Sequence, residues 1–193
     1  VQFRRDLGIP DDAPVVGSVF RMSEEKRPLL WIEMAAEIAR REPGAHFVVC
    51  GEGPMFNEMR DRAAQLGISG QVHLPGRIDG IGSSYKAMDV VILTSRHEGL
   101  PNVLLEAQSL GVPVVAPDVG GVGETLWHGV TGWAVPHADA CALADHALFC
   151  LQEDWKTRAQ REAPAFVRER FSVDAMLRHT LKVYDLSLPD ASP

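Results

Sequence analysis

The chain has 193 residues, 46% hydrophobic and 23% charged. That is the make-up of a globular domain long enough to bury a core without staples, and it excludes disordered, collagenous and coiled-coil classes. Nineteen basic residues against 26 acidic ones leave a formal net charge of −7, a poor footing for a nucleic-acid surface, and no apolar stretch approaches the roughly 18 residues a membrane-spanning helix needs.

The N-terminal stretch VQFRRDLGIP has neither the apolar centre of a signal peptide nor an initiator Met, so a fragment of a longer protein is expected. Cys50, Cys141 and Cys150 are odd in number and show no CxxC spacing, which points to reduced thiols and a cytoplasmic setting. Cys50 closes an apolar run and reads as a small buried hydrophobe.

Short apolar runs alternate with longer helical periods. Residues 15–20 (VVGSVF) read as a strand and Pro28–Arg41 as a helix with proline in its first turn. His46–Cys50 is a strand, and 54–66 a helix closed by Gly67. A short strand at 72–74, a short helix at 83–88 and the β-branched strand 90–94 (VVILT) follow. Helix 101–110 ends at Gly111. Strand 114–116, a helical turn at 123–127 and strand Gly132–Val135 complete the alternation. Beyond it the chain is helical: 138–153, then 155–170 with a break near Pro164, then 173–186 with Ser172 as N-cap. Such apolar strands, interleaved with helices, predict an α/β fold: a doubly wound parallel sheet of six strands, Rossmann-like, with extra C-terminal helices. In that architecture ligands sit beyond the carboxyl ends of the strands, so the loops after each strand are where chemistry is sought.

The first such loop carries Arg21, a planar fork for paired phosphate oxygens, and Lys26, a point charge, with Glu24 and Glu25 between them. Facing one diphosphate and forming a solvated charged turn are both open to it. The second loop, Gly51-Glu52-Gly53-Pro54, allows close backbone approach at a helix N-terminus but lacks the third glycine of GxGxxG. The third, Gly76-Arg77-Ile78-Asp79-Gly80, offers backbone groups to a planar base or is simply a loop. The richest run follows the fourth strand: Glu98 in the loop, then Gly99, Leu100, Pro101 and Asn102 at a helix start, whose free N–H groups favour an anion. Glu106 flanks the apolar arc of Val103, Ala107 and Leu110, and reads either as a partly sheltered carboxylate that could accept two hydrogen bonds from a ribose diol or as an exposed flank glutamate. Gly120-Gly121-Val122-Gly123-Glu124 reads equally as a backbone cradle or a packing turn. A Walker A run, a DxD pattern, GxSxG and a zinc-protease motif are all missing. The scattered histidines read as surface or packing residues.

Taken in order, Gly17…Arg21…Lys26, Gly51-Glu52-Gly53-Pro54, Gly76-Arg77-Ile78, Glu98-Gly99-Leu100-Pro101 with Glu106, and Gly120-Gly121-Val122-Gly123-Glu124 resemble the C-terminal, donor-binding domain of retaining GT-B glycosyltransferases, group 1 (family 4). The resemblance covers about residues 14 to 185. It implies catalytic roles for Arg21 and Lys26 on the leaving diphosphate and for Glu98 beside the transferred sugar. It also implies donor-binding roles for Gly17, Gly51, Arg77, the Ile78 backbone at the base, the amides of Gly99, Leu100, Pro101 and Asn102 at the distal phosphate, and Glu106 at the ribose. Leu100 stands where an aromatic is common, and Gly123 where proline is common. The family is metal-independent, so no metal and no cofactor are implied, the donor being a UDP- or GDP-linked sugar. Two cations and a helix N-terminus can do the electrostatic work of a magnesium ion.

The same resemblance implies a nucleotide-sugar-binding domain over 1–171, a cross-over helix over 172–186, a frayed tail over 187–193, and an absent N-terminal acceptor domain bearing a catalytic histidine. Activity from this chain alone is not expected. Peripheral association with the inner membrane face would run through the absent half. Val173, Met176, Leu177, Leu181 and Tyr184 of the last helix would lack part of their partner. The alternatives are a GT-B-like sugar-nucleotide epimerase and a non-catalytic nucleotide-sugar-binding domain.

Overall fold

A computed structural model describes residues 2–184. Six parallel strands form one sheet: β1 (Val15–Val19), β2 (His46–Cys50), β3 (Val72–Gly76), β4 (Val90–Ile92), β5 (Val114–Pro117) and β6 (Gly132–Val135), in the order β3-β2-β1-β4-β5-β6. β1 pairs with β2 on one side (Val15 opposite His46) and with β4 on the other (Val16 opposite Val90). The chain therefore winds outward to β3, returns to the middle and winds the other way, which puts the topological switch point between β1 and β4.

The helices are α1 (Gln2–Asp6), α2 (Pro28–Arg41), α3 (Phe56–Gln65), α4 (Ile81–Tyr85), α5 (Asn102–Ser109), α6 (Ala140–Cys150), α7 (Glu153–Phe171) and α8 (Val173–Val183). α2 packs on α3 and α6, while α5 packs on α4 and α7, giving one layer on each face of the sheet. The strands read as unbroken apolar runs because both their faces are covered. Trp31, Phe47, Ile92, Leu104 and Leu143 are fully buried between the layers. Trp31 Nε1 donates to the Ile92 carbonyl at 3.1 Å, so the polar end of this large core residue is satisfied. Cys50 and Cys150 are buried and Cys141 is exposed; burial pushes the Cys50 thiol up to about 11. His46 and His73 face each other across β2 and β3, Nδ1 to Nε2 at 3.0 Å.

The proline-induced break expected near residue 164 does not occur. α7 runs unbroken through Pro164, its apolar face of Trp155, Ala159, Ala163 and Phe166 buried. The small residues of that face bring its backbone close to the end of α5: a Cβ on Gly111 would lie 3.1 Å from the Gln160 Cα. Gln160 is also the residue whose carbonyl loses its helical partner to the proline. Continuous packing of this stripe outweighs a proline penalty of about 3 kcal/mol.

The first thirteen residues, for which no element is expected from the sequence, start with α1 and are anchored by a clasp. Arg4 is buried. Its Nε donates to the Ala87 carbonyl at 2.9 Å, Nη1 to the Ala13 carbonyl at 2.8 Å, and Nη2 to Asp89 at 2.9 Å. Asp89 also accepts from the Val15 N–H at 2.8 Å and pairs with Lys156 at 2.8 Å. One carboxylate thus ties α1, the starts of β1 and β4, and α7 together.

α8 begins at Ser172, whose hydroxyl accepts from the Ala175 N–H at 3.1 Å, as its N-cap. Val173, Met176, Leu177 and Tyr184 are exposed and Leu181 half-buried; in the described part of the helix only Ala175 is buried. The remainder of the expected helix, and the expected tail, lie outside the described residues. A helix tied by so little burial opens locally at low cost. Amide exchange in 173–183 is expected to be much faster than in β1 and β4 when measured by mass spectrometry; protection equal to that of the sheet would show that α8 is held.

Candidate active site

The loops after β1, β2, β3 and β4 at the carboxyl edge of the sheet are stitched together, mostly by backbone. After β1, the Met22 N–H donates to the Glu52 carbonyl at 2.9 Å, and the Met55 N–H to the Met22 carbonyl at 3.0 Å. The Gly51 N–H reaches the Gly76 carbonyl at 2.8 Å, joining the loops after β2 and β3. On the other side of the switch point, the Arg96 N–H donates to the Glu25 carbonyl at 2.8 Å and the Thr94 hydroxyl to the Lys26 carbonyl at 2.7 Å. Glycine at 51 is required by this approach: its φ is +137°, and a Cβ there would stand 2.0 Å from the Phe20 carbonyl oxygen.

The stitching brings Lys26, in a 3-10 turn at Glu24–Lys26, onto Glu98, in the loop after β4, with Nζ to Oε1 at 2.6 Å. The side chains are 25% and 10% exposed, so this pair is screened less than a surface ion pair. Of the neighbouring acids, Glu25 accepts from the Ser23 hydroxyl at 2.7 Å, which with the nearby Lys26 and Arg21 holds its carboxyl below its ordinary value, and both Glu24 and Glu25 are exposed. Arg21 is exposed and makes no ion pair among the described residues. It borders an open cleft of about 680 Å³ together with Gly51, Glu52, Gly53, Arg77 and Val103.

Val103 lies in the first turn of α5, so that helix start flanks the cleft. No side chain caps it: Pro101 is the N-cap residue and offers no polar group. Its orphan N–H groups and positive dipole end are available to an anion. Gly99, Leu100 and Asn102 are exposed and Pro101 is buried. Ile78 is half-buried beside Arg77 and packs against the core.

Gly17 does not join this group. It is buried inside β1, where Met88 fills the space of a side chain; a Cβ would lie 2.2 Å from the Met88 sulfur. The turn at 120–123 is a packing turn: a Cβ on Gly120 would fall 1.8 Å from the Glu98 carbonyl oxygen, and the Gly121 N–H donates to the Gly99 carbonyl at 2.9 Å. Glu106 is exposed, not partly sheltered, and is instead pinned by a residue the sequence reading did not single out. The Tyr85 hydroxyl donates to Glu106 Oε2 at 2.7 Å. Tyr85 is 1% exposed, and a buried phenol requires a partner; that requirement was the available signal.

The sheet and its strand order define the class of fold: a Rossmann-like α/β domain of the kind found in GT-B glycosyltransferases. The family model described as glycosyl transferases group 1 matches residues 2–165, and the chain belongs to that family. It is 36% identical over 171 residues to the Vi polysaccharide biosynthesis protein VipC/TviE of Salmonella typhi, covering 86% of this chain and 30% of that protein. It is 33% identical over 196 residues to a D-inositol 3-phosphate glycosyltransferase of Corynebacterium urealyticum, covering 96% of this chain and 46% of the relative. Among solved structures, Anabaena Alr3699/HepE in complex with UDP and glucose superposes with a TM-score of 0.82 at 27% identity, covering 95% of this chain and 51% of that one. The chain therefore spans about half, or less, of the length of these relatives. Among the described residues no helix is long and apolar enough to cross a membrane.

Proposed function

We propose that this chain is the donor-binding half of a retaining, metal-independent glycosyltransferase that moves a hexose-type sugar from a UDP- or GDP-linked donor to a glycan, lipid or small-molecule acceptor. The observation that carries this reading is the cleft beyond β1 and β2, bordered by Arg21, Arg77 and the uncapped start of α5. Two guanidinium groups and a helix dipole converge there on one volume, which is what a diphosphate demands. The solved relative bound to UDP and glucose supports the choice of ligand class.

In this reading Arg21 and Lys26 hold the diphosphate and stabilise its charge as the glycosidic bond breaks. The amides from Gly99 to Asn102 meet the distal phosphate. Glu98, tied to Lys26, stands next to the transferred sugar, Glu106 takes the ribose hydroxyls, and the Ile78 backbone and Gly51 border the base and phosphate. The acceptor and a catalytic histidine belong to a second domain, which supplies the other wall of the cleft, so turnover by this chain alone is not expected. A cytoplasmic setting, at the inner face of the membrane when the whole enzyme docks there, accords with a nucleotide-sugar donor.

Calorimetric titration of UDP and GDP into the folded chain, with EDTA present, tests the reading. Saturable binding unchanged by EDTA is expected; no heat from either nucleotide would overturn it. Arg21→Ala is expected to weaken that binding by about 1.5–3 kcal/mol, the worth of hydrogen bonds to a charged group, and equally so with EDTA. The anomeric configuration of the product made by the whole protein, read by NMR, decides retention.

A further inference from the structure

We infer that Tyr85 is a positioning residue that turns Glu106 from a mobile surface carboxylate into a fixed reader of the ribose diol, and so gives the site its preference for ribonucleotides over 2′-deoxyribonucleotides. The inference rests on the assignment of Glu106 to the ribose under the proposed function. Tyr85 belongs to no role described so far. It closes the short helix α4, its ring is sealed in the core, and its hydroxyl emerges at 2.7 Å from Glu106 Oε2 on the adjoining helix α5. Burial first, and the Glu106 carboxylate second, hold the phenol well above its ordinary value, so it remains a donor across the working range of pH.

An exposed glutamate on a helix surface normally samples many rotamers and loses that freedom on binding. Here the freedom is removed beforehand. The phenol occupies one acceptor position of Oε2 and restricts the rotamers open to the carboxylate. Oε1 and the remaining lone pair of Oε2 keep acceptor capacity for two vicinal hydroxyl donors. Loss of one ribose hydroxyl leaves part of that fixed acceptor set unmet. Without the phenol, the carboxylate can rotate to water and the discrimination relaxes.

The test measures dissociation constants of the full chain for UDP and 2′-deoxy-UDP, and for GDP and 2′-deoxy-GDP in parallel, with wild type, Tyr85→Phe, Glu106→Gln and the double variant. Wild type is expected to favour the ribonucleotide about 10-fold, Tyr85→Phe only about 3-fold, and Glu106→Gln hardly at all, with the phenylalanine adding nothing in the glutamine background. A wild-type preference kept intact in a folded Tyr85→Phe would show that the tyrosine only packs, and would overturn the inference while leaving Glu106 in place. Ribonucleotide binding with no preference in wild type would remove Glu106 from the ribose, and absence of nucleotide binding would sink the proposed function itself. Should Tyr85→Phe fail to fold, labelling both tyrosines with 3,5-difluorotyrosine keeps the ring and strengthens the donor. The preference is then expected to rise above 10-fold, and a preference left at the wild-type value would count against the inference.

Discussion

Asp89→Ala is expected to destabilise the fold by about 3–5 kcal/mol, because it removes one partner of a mostly buried charge cluster and leaves the other behind. The Arg4 side chain is 10% exposed and that of Asp89 14%, so the guanidinium left over could not turn to bulk water without α1 leaving the sheet. The Val15 N–H would lose its acceptor and Lys156 its only ion pair among the described residues. In a thermal melt the midpoint should fall by on the order of 10 °C for a chain of this size. Asp89→Asn, which keeps an acceptor oxygen but no charge, should fall by roughly half as much. A midpoint within the error of the native protein would show that the clasp contributes nothing to stability.

The second large effect concerns ligand binding. Lys26→Ala should weaken UDP or GDP binding on the order of 100-fold, more than loss of one phosphate contact alone. The substitution also strips Glu98 of its cation, and an unneutralised carboxylate, 10% exposed in its side chain, then faces the arriving diphosphate. Two unit charges several ångströms apart near a protein surface repel by about 2–4 kcal/mol. The sign can be checked independently. Glu98→Gln should bind the free nucleotide several-fold tighter than wild type, because Lys26 is then released to the phosphates, and Lys26→Ala with Glu98→Gln should recover part of what Lys26→Ala loses. Titration calorimetry on the four proteins decides it; a Lys26→Ala loss under threefold, together with an unimproved Glu98→Gln, would place the pair outside the phosphate site.

What was legible in the sequence follows from which forces are local. His46–Cys50 and Gly132–Val135 are apolar and β-branched or aromatic enough to be strands in any context, and Pro28–Arg41 announces both its start and its period, so these bounds agree with the structure. The strand order is not legible in the same way, because more than one doubly wound order satisfies right-handed crossovers, and β3-β2-β1-β4-β5-β6 is known only from the structure. Lys26 and Glu98 were recognisable as site residues one by one, but their 2.6 Å contact depends on which strands are neighbours, a fact about the sheet and not about either segment. Pro164 misled because the penalty of a proline is local whereas the compensation, a small-residue stripe against α5, is not. Arg4 and Asp89, 85 positions apart, form a pair that no local pattern reveals. The two readings left open for residues 120–124 were separated only by the atoms that Gly120 and Gly121 meet: carbonyl oxygens of the loop after β4.

The glycine pair at 120 and 121 constrains the orientation of the loop after β4. In a trans peptide the C=O and the following N–H point in opposite directions. The Gly121 N–H takes the Gly99 carbonyl, and a hydrogen on Gly120 is all that fits beneath the Glu98 carbonyl. With both oxygens turned to that side, the amide hydrogens of Gly99 and Leu100 must look the other way. Two residues without side chains thereby set the polarity of the segment that leads into α5.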